Sequence, residues 1–259
     1  PVTHENRLLD PLSWRKPSKV VVNRLSALFH EDVPDAFLDK VFAVMALAPQ
    51  HTFQVLTKRP ERMRAYMSNT RGAEGVICRV KTAGRDIPKR SWWKGEHTSW
   101  PWRNVWLGVS VEDQPRADER IPLLLQTPAA VRFISAEPLL GPVDLRIDSD
   151  AATLWNGDYE QTSRAMVRAD ERARCLNWVI VGGESGPDAR PCDLAWVRSI
   201  VAQCHTASVA CFVKQLGARP IAGRMPHPDD MFIRLASRKG GDPAEWSEDL
   251  RIRQFPGAV

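Results

Sequence analysis

The chain of 259 residues is 43% hydrophobic and 26% charged, a mixture that supports a packed core and excludes a disordered or fibrous protein. No apolar run approaches the roughly 18 residues of a spanning helix, and Pro1 to Asp10 is too polar for a secretory signal, so a cytoplasmic protein with no membrane partner is expected. A net charge of +5 and a pI near 9.1 point to a polyanionic partner, either nucleic acid or a phosphorylated substrate.

In chain order, short apolar runs alternate with amphipathic stretches, the pattern of repeated βα units and a parallel sheet. Strands are expected at Lys19 to Asn23, Thr52 to Leu56, Val105 to Val111, Val131 to Ala136, Trp178 to Val181 and Ala210 to Val213. Each is almost entirely apolar, which implies burial on both faces. After the first run, Phe37, Leu38, Val41, Phe42, Met45 and Ala48 form a helical stripe that Pro34 opens and Pro49 stops. Pro60 opens a short helix to Met67. Asp113 caps a helical stretch to about Gln126, which Pro122 is expected to break in two. Asp193 caps a helix carrying Leu194, Val197, Ile200, Val201 and Cys204. The alternation is interrupted at about 71–103 and 148–174, which read as long loops or inserted subdomains of one domain spanning residues 1–259.

Polar groups follow nearly every apolar run: Asn23-Arg24, Thr57-Lys58-Arg59, Glu112-Asp113, Glu137, Glu184-Ser185 and Lys214-Gln215. Ligands of parallel α/β folds bind at the carboxyl ends of the strands, where the loops converge, so these residues together are the candidate lining. Glu137 leaves an apolar strand with no base beside it in sequence; a nonlocal cation is expected, with Lys58, Arg59 and Lys214 as candidates. Gly182-Gly183-Glu184-Ser185-Gly186 is a turn whose open amides suit an anion or an adenosyl group, although it is neither a Walker loop nor GxGxxG. Between Arg79 and Trp106, basic residues interleave with Trp92, Trp93, Trp100, Trp102 and Trp106. That composition suits stacking on unpaired bases, or else a lid whose indoles pack against the fold. Cys78, Cys175, Cys192, Cys204 and Cys211 are scattered, with no CxxC and no encoded metal site, and read as buried or idle thiols. A further alternative takes Glu112, Glu137 and Glu184 as oxygen ligands of a divalent-metal hydrolase.

The segments Trp14-Arg15-Lys16-Pro17, Leu28 to Pro34, Gln54 to Pro60, Val105 to Glu112, Phe133 to Leu140, Val179 to Gly186, Phe212 to Gly217 and Trp246 to Pro256 resemble a phage-associated, three-cysteine-motif family of uncharacterised function over almost the whole chain. The resemblance implies a parallel (β/α) barrel or partial barrel of the radical-SAM/TIM type. In it an upstream cysteine motif ligates a [4Fe-4S] cluster and leaves one iron open for S-adenosylmethionine. Here Pro1 begins downstream of that motif, and none of the five cysteines replaces it by spacing. The first βα unit is therefore expected to be missing and the chain to be inactive as it stands. Ala27 stands where the family pattern has an acidic residue.

The resemblance recasts Glu112, Glu137, Gly182, Gly183, Glu184 and Ser185 as the cofactor lining. Lys58, Arg59, Lys214 and Gln215 face substrate, the cations holding a carboxylate or phosphate; Trp92 and Trp93 join them from the composition of their segment. No catalytic residue is singled out. The alternative function is a non-catalytic nucleic-acid-binding phage or defence accessory protein.

Overall fold

The computed structural model describes residues 4–22, 28–68, 72–85, 87, 100–147, 176–223 and 232–257. Its strands are β1 (Lys19–Val22), β2 (Thr52–Thr57), β3 (Val105–Ser110), β4 (Val131–Ala136), β5 (Trp178–Gly182), β6 (Cys192–Asp193), β7 (Ala210–Gln215) and β8 (Pro220–Ile221). The helices are α1 (Glu5–Leu8), α2 (Asp35–Leu47), α3 (Pro60–Ser68), α4 (Gly72–Gly84), α5 (Gln114–Leu125) and α6 (Leu194–Thr206). Six strands form a parallel sheet in the order β1-β2-β3-β4-β5-β7, and β6 pairs with β8. All six expected runs are strands of this sheet, so the α/β class follows from the sequence alternation. No described helix is long and apolar enough to cross a membrane.

The chain divides into two compact units. The first comprises residues 1–109, 122–132 and 259. Here β1 pairs with β2 from Lys19↔Thr52, and β2 with β3 from Phe53↔Val105. Phe53, Val55, Val105, Leu107 and Val109 are buried along these strands, as continuous apolar runs require. Helix α2 buries Leu38 and every residue from Val41 to Ala46. The interruption expected from residue 71 is partly helical instead: α4 buries Val76, Ile77 and Val80 and packs against α2 and α3. Gly72, Gly75 and Gly84 lower its intrinsic propensity and hide the stripe in the sequence, and tertiary packing overrides them.

Trp100 and Trp102 are buried in the same unit, their rings 5.0 Å apart, and Trp100 lies edge-on to Phe42 at 6.1 Å. These two indoles are core residues, not base-stacking platforms. Tyr66 donates to Asp39 Oδ1 at 2.6 Å, and burial, then Asp39, push its phenol well above the ordinary value.

The second unit comprises Ser110–Ile121 and Phe133–Ala258. β4 pairs with β5 from Phe133↔Trp178, and β5 with β7 from Trp178↔Ala210. Asp193 caps α6 as expected, its Oδ1 accepting from Ala195 N at 2.8 Å. The carboxy-terminal segment covers β7: Gln254 N donates to Cys211 O and Val213 N to Ile252 O, each at 2.8 Å. Trp178 Nε1 donates to Gln254 O at 2.9 Å, so that edge is occupied.

The expected break at Pro122 does not occur, and α5 runs through it without interruption. Asp113 Oδ1 caps its amino end, accepting from Arg116 N at 3.0 Å, while buried Ile121 and Leu124 hold the turns on either side of the proline.

Candidate functional site

Backbone pairing in the second unit continues past the carboxyl ends of its strands. Leu140 N donates to Glu112 O at 2.8 Å and Leu139 N to Gly182 O at 2.9 Å. Gly183 N donates to Gln215 O at 3.1 Å, and Ala218 N to Glu184 O at 2.8 Å. This lacing places Glu112, Glu137, Glu184, Lys214 and Gln215 on neighbouring segments at one end of the unit. It reflects the sequence because each polar residue directly follows an apolar run that must be buried.

The nonlocal cation expected for Glu137 is Lys214. Its Nζ donates to Glu137 Oε2 at 2.7 Å, and Gln215 Nε2 donates to Oε1 at 2.8 Å and also to Gly183 O at 3.1 Å. Neighbouring residues of a regular strand point to opposite faces. Here the register shifts, Val181 facing Val213 and Gly182 facing Gln215, so Lys214 is the extra residue of a bulge. The bulge lets consecutive side chains reach one carboxylate. Glu137 is 15% exposed and Lys214 39%, which leaves the ammonium at the surface of the site.

Gly182 and Gly183 serve packing between chain segments. A methyl group on Gly183 would lie 2.4 Å from Leu216 O, and one on Gly182 2.8 Å from Gln215 O. Gly217 (φ +89°) and Gly240 (φ +58°) complete the arrangement, because a Cβ on Gly240 would meet Gly217 O at 2.5 Å. The space in front of the turn is occupied by the protein's own backbone.

Glu112 is buried with Arg120: Arg120 Nη1 donates to Glu112 Oε2 at 3.0 Å and to Ser110 O at 2.9 Å. Glu184 is gripped by Arg190, whose Nε and Nη2 donate at 2.7 and 2.9 Å and whose backbone N–H donates at 2.9 Å. The side-chain bonds, then the backbone bond, hold the Glu184 carboxyl down at about 2. Ser185 is exposed at the tip of the loop this pair closes.

A carboxyl depressed in the folded state contributes stability that is present above its unfolded value of about 4.3 and is lost as pH falls through the folded value. Amide protection at residues 184–190 is therefore expected to hold from neutral pH to about pH 4 and to decline towards pH 2. Hydrogen exchange on the wild type and Glu184→Gln checks this, since the glutamine variant should be uniformly less protected with no such decline.

Lys58 is exposed and Arg59 half-buried at the carboxyl end of β2, in the first unit. Asn23, Arg24, Ala27, Trp92, Trp93, Cys175 and the segment 148–174 lie outside the described residues. Arg120 and Arg190 were missed by sequence reasoning, because neither follows an apolar run. Arg190 is nevertheless six residues beyond Glu184 in a Gly-Pro turn, a spacing at which a loop closes on itself.

An iron-sulfur cluster needs converging thiolates. Cys192, Cys204 and Cys211 are buried and Cys78 is exposed on α4. Burial pushes the Cys192 thiol up to about 12, and among the described residues no group of three or more His, Cys, Asp or Glu converges as a metal site. The described residues do not fit a cluster.

Residues 2–242 match a family described as protein of unknown function, DUF5131. No curated protein and no solved structure matches the chain.

Proposed function

The chain belongs to the DUF5131 family, and from that premise we propose that it is the body of a radical-SAM-like enzyme of partial-barrel type that binds S-adenosylmethionine at the carboxyl ends of the strands of its second unit. One observation supports this reading above the others: the bulge in β7 sets the Lys214 ammonium and the Glu137 carboxylate side by side, 2.7 Å apart, at the mouth of the unit. A methionyl group carries a carboxylate and an ammonium, the complement of that pair. Lys214 Nζ has further N–H donors for the ligand carboxylate, and Glu137 has further lone pairs for the ligand ammonium. Glu112 and Glu184, each held by an arginine, frame the pair and stay charged structural groups in this reading. The substrate class follows from the net charge of +5: a phosphorylated or nucleic-acid-derived compound.

Binding, not radical chemistry, is the step these residues perform. Titration calorimetry of the chain with S-adenosylmethionine and with adenosine tests it. S-adenosylmethionine is expected to bind, and Lys214→Met to weaken it roughly 10- to 100-fold, as loss of a charged hydrogen bond does. Adenosine, which lacks the methionyl end, should be indifferent to the substitution. Absence of S-adenosylmethionine binding to the wild type, or equal binding by the variant, overturns the assignment.

A further inference from the structure

We propose that Arg59, at the carboxyl end of β2, is the core of a phosphate-binding site in the first unit. The residue is fixed on both sides of its backbone: Arg59 N donates to Thr57 Oγ1 at 3.0 Å, and Arg59 O accepts from Met63 N at 3.2 Å, the start of α3. Thr57 is itself buried at the end of an apolar strand, so this anchor is rigid. The side chain is half-buried, and its Nη1 is sealed from solvent with no hydrogen-bond partner. Among the described residues no carboxylate pairs with it.

Other guanidinium groups of the unit contrast with this. Arg62 donates to His30 O, Glu31 O, Val33 O and Asp35 Oδ1, clamping the stretch before α2. Arg79 donates to Asp39 and to Tyr66 O. Leaving a partly buried guanidinium nitrogen unpaired costs stability, because desolvation is not offset by a counter-charge. Departures of this kind concentrate where a ligand completes the arrangement.

The planar fork of arginine matches two oxygens of a phosphoryl group. Lys58, exposed and adjacent, raises the local positive potential, which favours a dianionic phosphate over a singly charged carboxylate. The site shares no residue with the Glu137–Lys214 pair, so its failure leaves the S-adenosylmethionine reading untouched.

Thermal unfolding of wild type, Arg59→Met and Arg59→Lys at constant ionic strength tests the proposal, with inorganic phosphate, methyl phosphate, acetate and a single-stranded oligonucleotide as probes. Phosphate and methyl phosphate are expected to raise the wild-type melting temperature, by roughly 5–10 °C at a hundredfold excess over Kd. Arg59→Met should lose that rise while melting at or above the wild type in chloride, since its orphaned nitrogen is gone. Arg59→Lys should keep part of it. The proposal is overturned by a wild type indifferent to phosphate, an equal rise with acetate, or a rise with the oligonucleotide alone. It is also overturned if Arg59→Met keeps the rise, or melts well below the wild type in chloride, which would make Arg59 structural.

Discussion

Gly183→Ala is expected to destabilise the protein by about 3 kcal/mol, read as a fall in melting temperature of roughly 6–12 °C. The added methyl would lie 2.4 Å from Leu216 O, 2.8 Å from Leu216 C and 2.9 Å from Gly217 Cα, all backbone atoms. None of these can turn away as a flexible side chain does. Leu216 N is tied to Gly240 O at 2.8 Å and Gly217 N to Lys239 O at 3.2 Å, so displacing them disturbs a third segment. Gly183 O also accepts from Gln215 Nε2, and the shift would carry into the Glu137 cluster. Gly141→Ala is the control, because a methyl there meets nothing within 4 Å, and it should leave the melting temperature unchanged. If Gly183→Ala melts within about 1 °C of the wild type, the close stacking of Gly183, Gly217 and Gly240 does not limit stability.

Much of this stack was hidden from sequence reasoning, for a physical reason. The strands were legible because burial on both faces demands unbroken Val, Ile, Leu and Phe, and each of β1 to β5 and β7 begins within such a run. The end of the sheet that carries the polar groups was legible for the same reason, since a run must stop where solvent begins. Which partner each group takes was not. Glu137 meets Lys214 across 77 residues, through a bulge that no local pattern announces. Arg120 lies inside α5, where a charged residue reads as part of a solvated face until the burial is known. The glycine turn was read as open to a ligand because a glycine records that something comes close, not what it is. Here it is the backbone that follows β7. Helix α4 was read as a loop because its glycines outweighed its apolar stripe, and Trp100 and Trp102 looked like a binding surface until their burial assigned them to the core.

Arg120→Met should be the most destabilising single charge change at the site, by about 3–5 kcal/mol in urea unfolding. Arg120 and Glu112 are 7% and 8% exposed, so water cannot replace the guanidinium at the carboxylate. The same nitrogen, Nη1, donates to Ser110 O, and its loss removes a bond at the end of β3 as well. Buried pairs differ from exposed ones in what the double replacement does. Glu112→Leu combined with Arg120→Met removes both desolvated charges and should recover most of the loss, or exceed the wild type. For Glu184 and Arg190, where Arg190 is 57% exposed, removing the arginine should cost far less than removing Arg120. A single Arg120→Met variant that unfolds within about 1 kcal/mol of the wild type would mean that the Glu112 carboxylate is solvated. Recovery in the double variant would establish a further point. Glu112 O accepts from Leu140 N, on the segment just beyond Glu137. If stability returns while S-adenosylmethionine binding stays weak, the buried pair is retained for the position it imposes on that segment, and its stability cost is offset by function.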